Sequence, residues 1–200
     1  MPTKLFKPAA GVIHYNQRNN QLWPGEACFP TSLAMAIRNN GCPAALQRFC
    51  IDDAMMVFAN DVGVGKVIAK RARVPEGTPK LNQWWSVMAG VAEWFLGAGE
   101  YKDYVAWREA LTLAQLKKEI DNGYMLIVGT KLTHAGHVVC VAGYTDDSLV
   151  LCDPYGNPNV NYTSDKGALI TLNTALLPKM YNTGKSFRAI LVHADKRVKV

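Results

Sequence analysis

The 200-residue chain is 49% hydrophobic and 19% charged, a composition that buries a core without disulfides or metals and predicts a single domain over 1–200. No apolar run approaches the roughly 18 residues of a membrane helix, which excludes a transmembrane span at the level of sequence. The net charge of +6 favours approach to polyanions such as nucleic acid, teichoic acids or acidic membrane surfaces, but no RNA-binding aromatic signature or helix-turn-helix pattern accompanies it, so nucleic acid is not an expected partner.

The first residues, Met1-Pro2-Thr3-Lys4-Leu5-Phe6-Lys7, carry charge without an apolar stretch of secretory length. No signal peptide is read, and cytoplasmic synthesis is the expectation, with any access to the cell wall depending on another factor. Tyr15 to Asn20 reads as a loop entering a helix that starts at Cys28. Pro30 suits a first turn, the apolar set Leu33, Met35, Ala36 and Ile37 follows, and Asn40-Gly41 is the stop. Residues 44–70 are interrupted by Asn60-Asp61, Gly63 and Gly65, which predicts short helices around a loop. A turn-rich connector at Val74-Pro75-Glu76-Gly77-Thr78-Pro79 leads to a helix over 83–96, whose Trp84, Trp85, Val87, Met88, Val91, Ala92 and Phe95 read as core.

Residues 101–110 give no clear pattern. Thr112-Leu113-Ala114-Gln115 then predicts a capping box opening a helix to Asp121, stopped by Asn122-Gly123. Strands are predicted over 124–129, His137–Tyr144 and 149–153, the last two joined by a turn at 145–148, with later strands over 168–172 and Phe187–His193. Helices first and strands second is the α+β pattern.

Cys28 is the residue on which chemistry turns. A thiol at a helix N-terminus faces backbone N–H groups and the positive end of the helix dipole, which favour the nucleophilic thiolate. The other cysteines, Cys42, Cys50, Cys140 and Cys152, bring the total to five. That odd number without CxxC spacing fits neither a disulfide framework nor a zinc knuckle, so most read as reduced and buried. His134-x-x-His137 with a cysteine is a conceivable zinc set, but it lacks the HExxH helix context, and no metal or cofactor is expected.

A cysteine nucleophile needs a base, and the base needs a third group to hold its ring in one tautomer. His137 opens one predicted strand and Asp153 closes the next. With an even loop between these strands Asp153 falls opposite Cys140, on the wrong face for His137. With an odd loop or a β-bulge it pairs with Val139, and His137 becomes its diagonal neighbour on one face. A working His137–Asp153 pair therefore requires one of those two irregularities. His134 is the rival base. For the oxyanion, a side-chain amide upstream of the nucleophile is wanted, and on spacing Gln17 and Gln21 tie.

The order Gln, Cys, His, Asp, with the cysteine heading a helix and the other two on a later hairpin, resembles the papain-like cysteine peptidases. It is most similar to the family that includes the double-glycine leader peptidase domains of bacteriocin exporters and their free-standing bacterial and phage relatives. The matching stretches are Asn16-Gln17-Arg18-Asn19-Asn20, Cys28-Phe29-Pro30-Thr31-Ser32-Leu33-Ala34-Met35, Gly136-His137-Val138-Val139-Cys140-Val141-Ala142-Gly143-Tyr144 and Asp153-Pro154-Tyr155-Gly156-Asn157. The resemblance implies a papain-like α+β fold, with the nucleophile helix of an N-terminal helical half packed on a C-terminal antiparallel sheet, and it favours Gln17 over Gln21. The exporter domains usually carry glycine directly after the cysteine; Phe29 in that place points to the free-standing relatives.

The expectation is thus a cysteine hydrolase with Cys28, His137, Asp153 and Gln17 as its machinery, cleaving an amide bond through an acyl-thioester. The resemblance and the basic surface suggest peptidoglycan peptide as substrate in a lysin-like role. Alternatives are a protein-cleaving peptidase or acyltransferase with a host or toxin role, and a non-catalytic binding module on the same fold.

Overall fold

The computed structural model of the chain describes residues 3–5, 11–39, 57, 59–60, 64–95, 105–182 and 184–193. In chain order its elements are β1 (Lys4–Leu5), α1 (Cys28–Asn39), α2 (Val64–Arg71), α3 (Trp85–Phe95), β2 (Val105–Leu111), α4 (Leu113–Asp121), β3 (Tyr124–Thr130), β4 (His137–Tyr144), β5 (Leu149–Cys152), β6 (Ile170–Thr171) and β7 (Phe187–His193). The helix stop at Asn40-Gly41, Cys42 and Cys50, and the basic residues Lys196, Arg197 and Lys199 lie outside the described residues.

All strand pairs are antiparallel, in the order β2-β7-β3-β4-β5-β6, with β1 joining β4 at Lys4↔Tyr144. This is the α+β, papain-like architecture expected, a helical N-terminal region against a C-terminal antiparallel sheet. The central strands are nearly unbroken apolar runs because both sheet faces are covered. Met125 and Ile127 of β3, Cys140 and Ala142 of β4 and Ile190 and Val192 of β7 face one core with α1, α2 and α3. Their neighbours Leu126, Val128, Val139, Val141, Ala189 and Leu191 face a second core, closed by α4 and by Met180 at the end of the 3-10 turn Thr174–Met180. Alternation by two is therefore present, but it sorts residues between two cores rather than between core and water.

The predicted capping box forms. Thr112 accepts from the Gln115 N–H at 3.2 Å while the Gln115 carboxamide accepts from the Thr112 N–H at 2.8 Å. Three expectations shift. Residues 81–83 make a separate 3-10 turn, so α3 starts at Trp85 rather than at 83. Residues 105–111, which carried no pattern, become an outer strand because β7 pairs with them from Val105↔Val192 to Leu111↔Phe187, with their middle exposed to solvent. The strand predicted over 168–172 shortens to Ile170–Thr171, since Leu169 has φ +47, a left-handed conformation that no strand accommodates.

The aromatic residues around α3 are not simply core. Trp84 and Trp94 are exposed, and Trp85 packs its ring 4.5 Å from that of Phe29 beside Cys28. Lys66, Lys70, Arg71 and Arg73, the densest basic cluster of the described chain, are exposed on and just after α2.

Candidate active site

Cys28 is the first residue of α1, half-buried, and it lines a cleft of about 510 Å³ together with Phe29, Trp85, Gly136 and His137. The helix is docked onto β4 by a pair of hydrogen bonds one turn further on. The Ser32 hydroxyl donates to the Val138 carbonyl at 3.0 Å, and the Cys140 thiol donates to the Ser32 carbonyl at 2.8 Å. Because Ser32 lies one turn from Cys28 and Val138 adjoins His137, the same contacts that anchor the helix set the thiol against the imidazole. Ser32 is a positioning residue that no motif marks; the available signal is a hydroxyl on the buried face of a mostly apolar helix.

The register question resolves through a bulge. The turn at 145–148 is even, closed by Thr145 N–H to the Ser148 carbonyl at 2.9 Å, but the β4–β5 ladder shifts between Val141 and Gly143, leaving Ala142 as the extra residue. Tyr144 pairs with Leu149 on one side of the bulge and Cys140 with Cys152 on the other. Continuing that second register by one residue sets Asp153 across from Val139, diagonal to His137. The His137 Nε2 and Asp153 Oδ1 are 2.7 Å apart, both side chains buried. Of the two irregularities that permit the pair, the chain uses the bulge.

Asp153 is fully buried and held from several directions. Its Oδ1 also accepts from the Tyr155 N–H at 2.8 Å and its Oδ2 from the Tyr162 hydroxyl at 3.2 Å. Its own N–H donates to the Gly167 carbonyl at 2.8 Å, and its carbonyl lies 2.9 Å from His14 Nε2. A side chain at Gly167 would collide with the Asp153 carbonyl and His14, so glycine is required there by close approach alone. Tyr162 and His14 sit on loops just outside the two motifs, and no local pattern marks them. Gly136, with φ +84, makes the left-handed turn that starts β4 at His137.

Burial alone would lower the His137 pKa. Hydrogen bonds to the Asp153 carboxylate and the Cys28 sulfur, and the charges on both, outweigh it and raise the value to about 9. A proton held more tightly in the folded state than at 6.5 in the unfolded chain stabilises fully below 6.5, and that contribution is lost as pH rises through about 9. Urea unfolding is therefore expected to show stability falling by up to about 3 kcal/mol between pH 6 and 9, with His137→Gln flattening the slope. A flat profile in the wild type would contradict the buried charged pair.

Gln17 is buried in a 3-10 turn, Gln17–Asn19, and ties two arms of the site together. Its backbone N–H donates to the Pro154 carbonyl at 2.8 Å, next to Asp153, and its side-chain Nε2 donates to the Pro24 carbonyl at 2.7 Å, on the approach to Cys28. Its Oε1 is buried without a partner among the described residues. Gln21 is exposed. His134, the rival base, is exposed in the β3–β4 turn and lines a different pocket from Cys28. Among the described residues no group of three or more His, Cys, Asp or Glu side chains is arranged to hold a metal, and no helix is long and apolar enough to cross a membrane.

A half-buried thiol at a helix start, a buried imidazole beside it and a carboxylate behind that imidazole form a cysteine-peptidase-like apparatus. The model of the Peptidase_C39 like family matches residues 10–173, a stretch that contains all of these groups. The chain belongs to that family. A crystal structure of a candidate C39-like peptidase from Bacillus anthracis has the same fold as this C39-like chain, with a TM-score of 0.56 at 13% identity over 96% of this chain and 98% of the other. No curated protein matches.

Proposed function

We propose that the C39-like chain is a cysteine hydrolase that cleaves an amide bond, with Cys28 as nucleophile, His137 as base and acid, Asp153 as orienter and Gln17 as oxyanion donor. The observation that carries this reading is the imidazole of His137, buried between the Asp153 carboxylate and the Cys28 sulfur at the cleft. In the first half-reaction the Cys28 sulfur attacks the substrate carbonyl carbon, its proton having passed to His137. His137 then gives that proton to the leaving nitrogen as the C–N bond breaks, leaving an acyl-thioester and a free amine. In the second, water attacks the thioester with His137 taking its proton; the C–S bond breaks, the acid departs and the thiol is restored.

Charge develops on the substrate carbonyl oxygen in both steps, and the amide of Gln17 with the Cys28 N–H is the donor set we assign to it. The support is the burial of Gln17, the anchoring of its backbone N–H to Pro154 and that of its side-chain Nε2 to Pro24, which fix the residue without the need for substrate. Gln17→Ala is expected to lower kcat by about 10²- to 10³-fold with KM little changed. Steady-state kinetics check this, and a pure KM effect would reassign Gln17 to ground-state binding.

For the substrate we infer peptidoglycan peptide, in the manner of free-standing bacterial or phage lysins rather than of bacteriocin-leader processing. Two features support this: Phe29 after the nucleophile, where exporter domains usually have glycine, and a net charge of +6 that favours an anionic wall. The test is incubation with purified peptidoglycan and, separately, with a general protein substrate, with new amino and carboxyl termini identified by mass spectrometry. Cleavage of the wall peptide with sparing of the protein is the expected result. Cleavage of the protein alone would overturn the substrate, and amine adducts in place of acids would make the chain an acyltransferase.

Alkylation separates this reading from a binding module. Iodoacetamide at about pH 6 is expected to label Cys28 ahead of Cys140 and Cys152, which are buried. Burial pushes both of those thiols up, Cys152 to about 11. Peptide mapping reads the result; a folded protein that leaves Cys28 unlabelled would argue for a site that does no chemistry.

A further inference from the structure

Next to the catalytic cleft lies a second pocket of about 660 Å³ whose walls carry positive charge, supplied by Arg18, Lys131 and Lys179 with His134 at its edge. Lys131 lines both this pocket and the Cys28 cleft, so the two are neighbours across one side chain. The basic pocket also touches the orienting machinery, because Tyr162, which donates to Asp153, is one of its lining residues.

The cations are brought together by the backbone. The Lys131 N–H donates to the Lys179 carbonyl at 2.6 Å, which holds two lysine-bearing segments side by side. The Arg18 guanidinium donates to the Tyr162 carbonyl at 3.0 Å and stacks 4.2 Å over the Tyr155 ring, an arrangement that fixes its direction. No carboxylate lines the pocket among the described residues. The four ion pairs among the described residues use none of these cations. Like charges gathered in one concavity without an acidic partner make a site of strongly positive potential, which a ligand carboxylate would relieve.

We infer that the substrate groove continues from Cys28 past Lys131 into this pocket, and that the pocket takes a carboxylate of the substrate peptide. The inference rests on the reading of the cleft as a peptide groove and specifies the substrate as an anionic peptide with a carboxylate that reaches Lys131, Lys179 and Arg18.

The test uses two dansylated alanine tetrapeptides of one sequence, ending in a free carboxylate or in a carboxamide, titrated into the full chain carrying Cys28→Ala. The carboxylate peptide is expected to bind roughly tenfold more tightly, the order set by two or three partly exposed charge pairs. The preference should fall towards one when Lys131→Gln and Lys179→Gln are added, and persist when Lys66→Gln and Lys70→Gln on α2 are added instead. Equal binding of the two peptides, or equal loss with the α2 pair, would overturn the subsite. Turnover by the wild type is followed in parallel. A carboxylate preference without cleavage of either peptide supports the subsite while counting against the hydrolase, whereas cleavage of both without preference does the reverse.

Discussion

Cys28→Ala is expected to reduce amide-bond cleavage by at least about 10⁴-fold while the fold and substrate binding survive. Every covalent step proposed passes through the Cys28 sulfur, so without it only binding and oxyanion stabilisation remain. Cys28 is half-buried at the mouth of a cleft, so removing its sulfur opens no enclosed cavity, and the stability cost should stay below about 1 kcal/mol. The Cys28 contact is among the causes that raise the His137 pKa, so the imidazole in the variant should hold its proton less tightly. Single-turnover assays with urea unfolding, and NMR titration of the ring, would check the three parts. Retained turnover in a well-folded Cys28→Ala would end the nucleophile assignment.

The parts of this site legible in the sequence are those written in local code. Pro30 and the apolar face behind it mark the helix that Cys28 heads, Gly136 marks the start of the His137 strand, and Thr112 with Gln115 writes a capping box that forms as read. Counting along the hairpin even states the condition for catalytic geometry, an odd loop or a bulge, without deciding which. Nothing local to Ala142 reveals that it is the extra residue. A bulge is a compromise between two strand registers, set by Leu149 pairing with Tyr144 on one side and Cys152 with Cys140 on the other.

Most of what escaped the sequence is long-range. Tyr162 and His14 reach Asp153 from loops, and Ser32 reaches Val138 from a helix more than a hundred residues away, so their roles exist only after the chain has folded. The outer strand Val105–Leu111 escaped for a related reason: its central residues are exposed, and its structure comes from hydrogen bonding to β7 rather than from burial of its own apolar pattern. Periodicity reads Trp85 as core, yet the residue also walls the cleft, because periodicity reports which face of a helix is apolar and not whether that face meets a neighbour or a groove.

Asp153→Asn is expected to cost nearly as much as losing the nucleophile, about 10⁴-fold in kcat, although the carboxamide fills the same volume. The carboxylate does three things at once. It pairs with His137 at 2.7 Å, it receives the Tyr155 N–H, and its second oxygen receives the Tyr162 hydroxyl. A carboxamide supplies one oxygen, which can keep His137 and the Tyr155 N–H, and one NH2, to which the Tyr162 hydroxyl can turn as acceptor, but the buried imidazolium loses its counter-charge. Removing one member of a buried charged pair typically costs about 3–5 kcal/mol, and here the protein has an escape that limits the damage: His137 can shed its proton. Burial, the leading cause that opposes protonation, is then resisted only by Cys28, so the His137 pKa should drop. The variant should therefore be most impaired in stability at low pH, where the ring is forced to protonate without its partner, the reverse of the wild-type trend. Asp146→Asn, an exposed change in the β4–β5 turn, should leave both activity and pH profile unchanged. Unfolding curves and kcat profiles over about pH 5 to 9 for the three proteins decide the matter. A folded Asp153→Asn with turnover within tenfold of wild type, or with an unmoved pH profile, would show that the carboxylate braces the loop and does not tune the base.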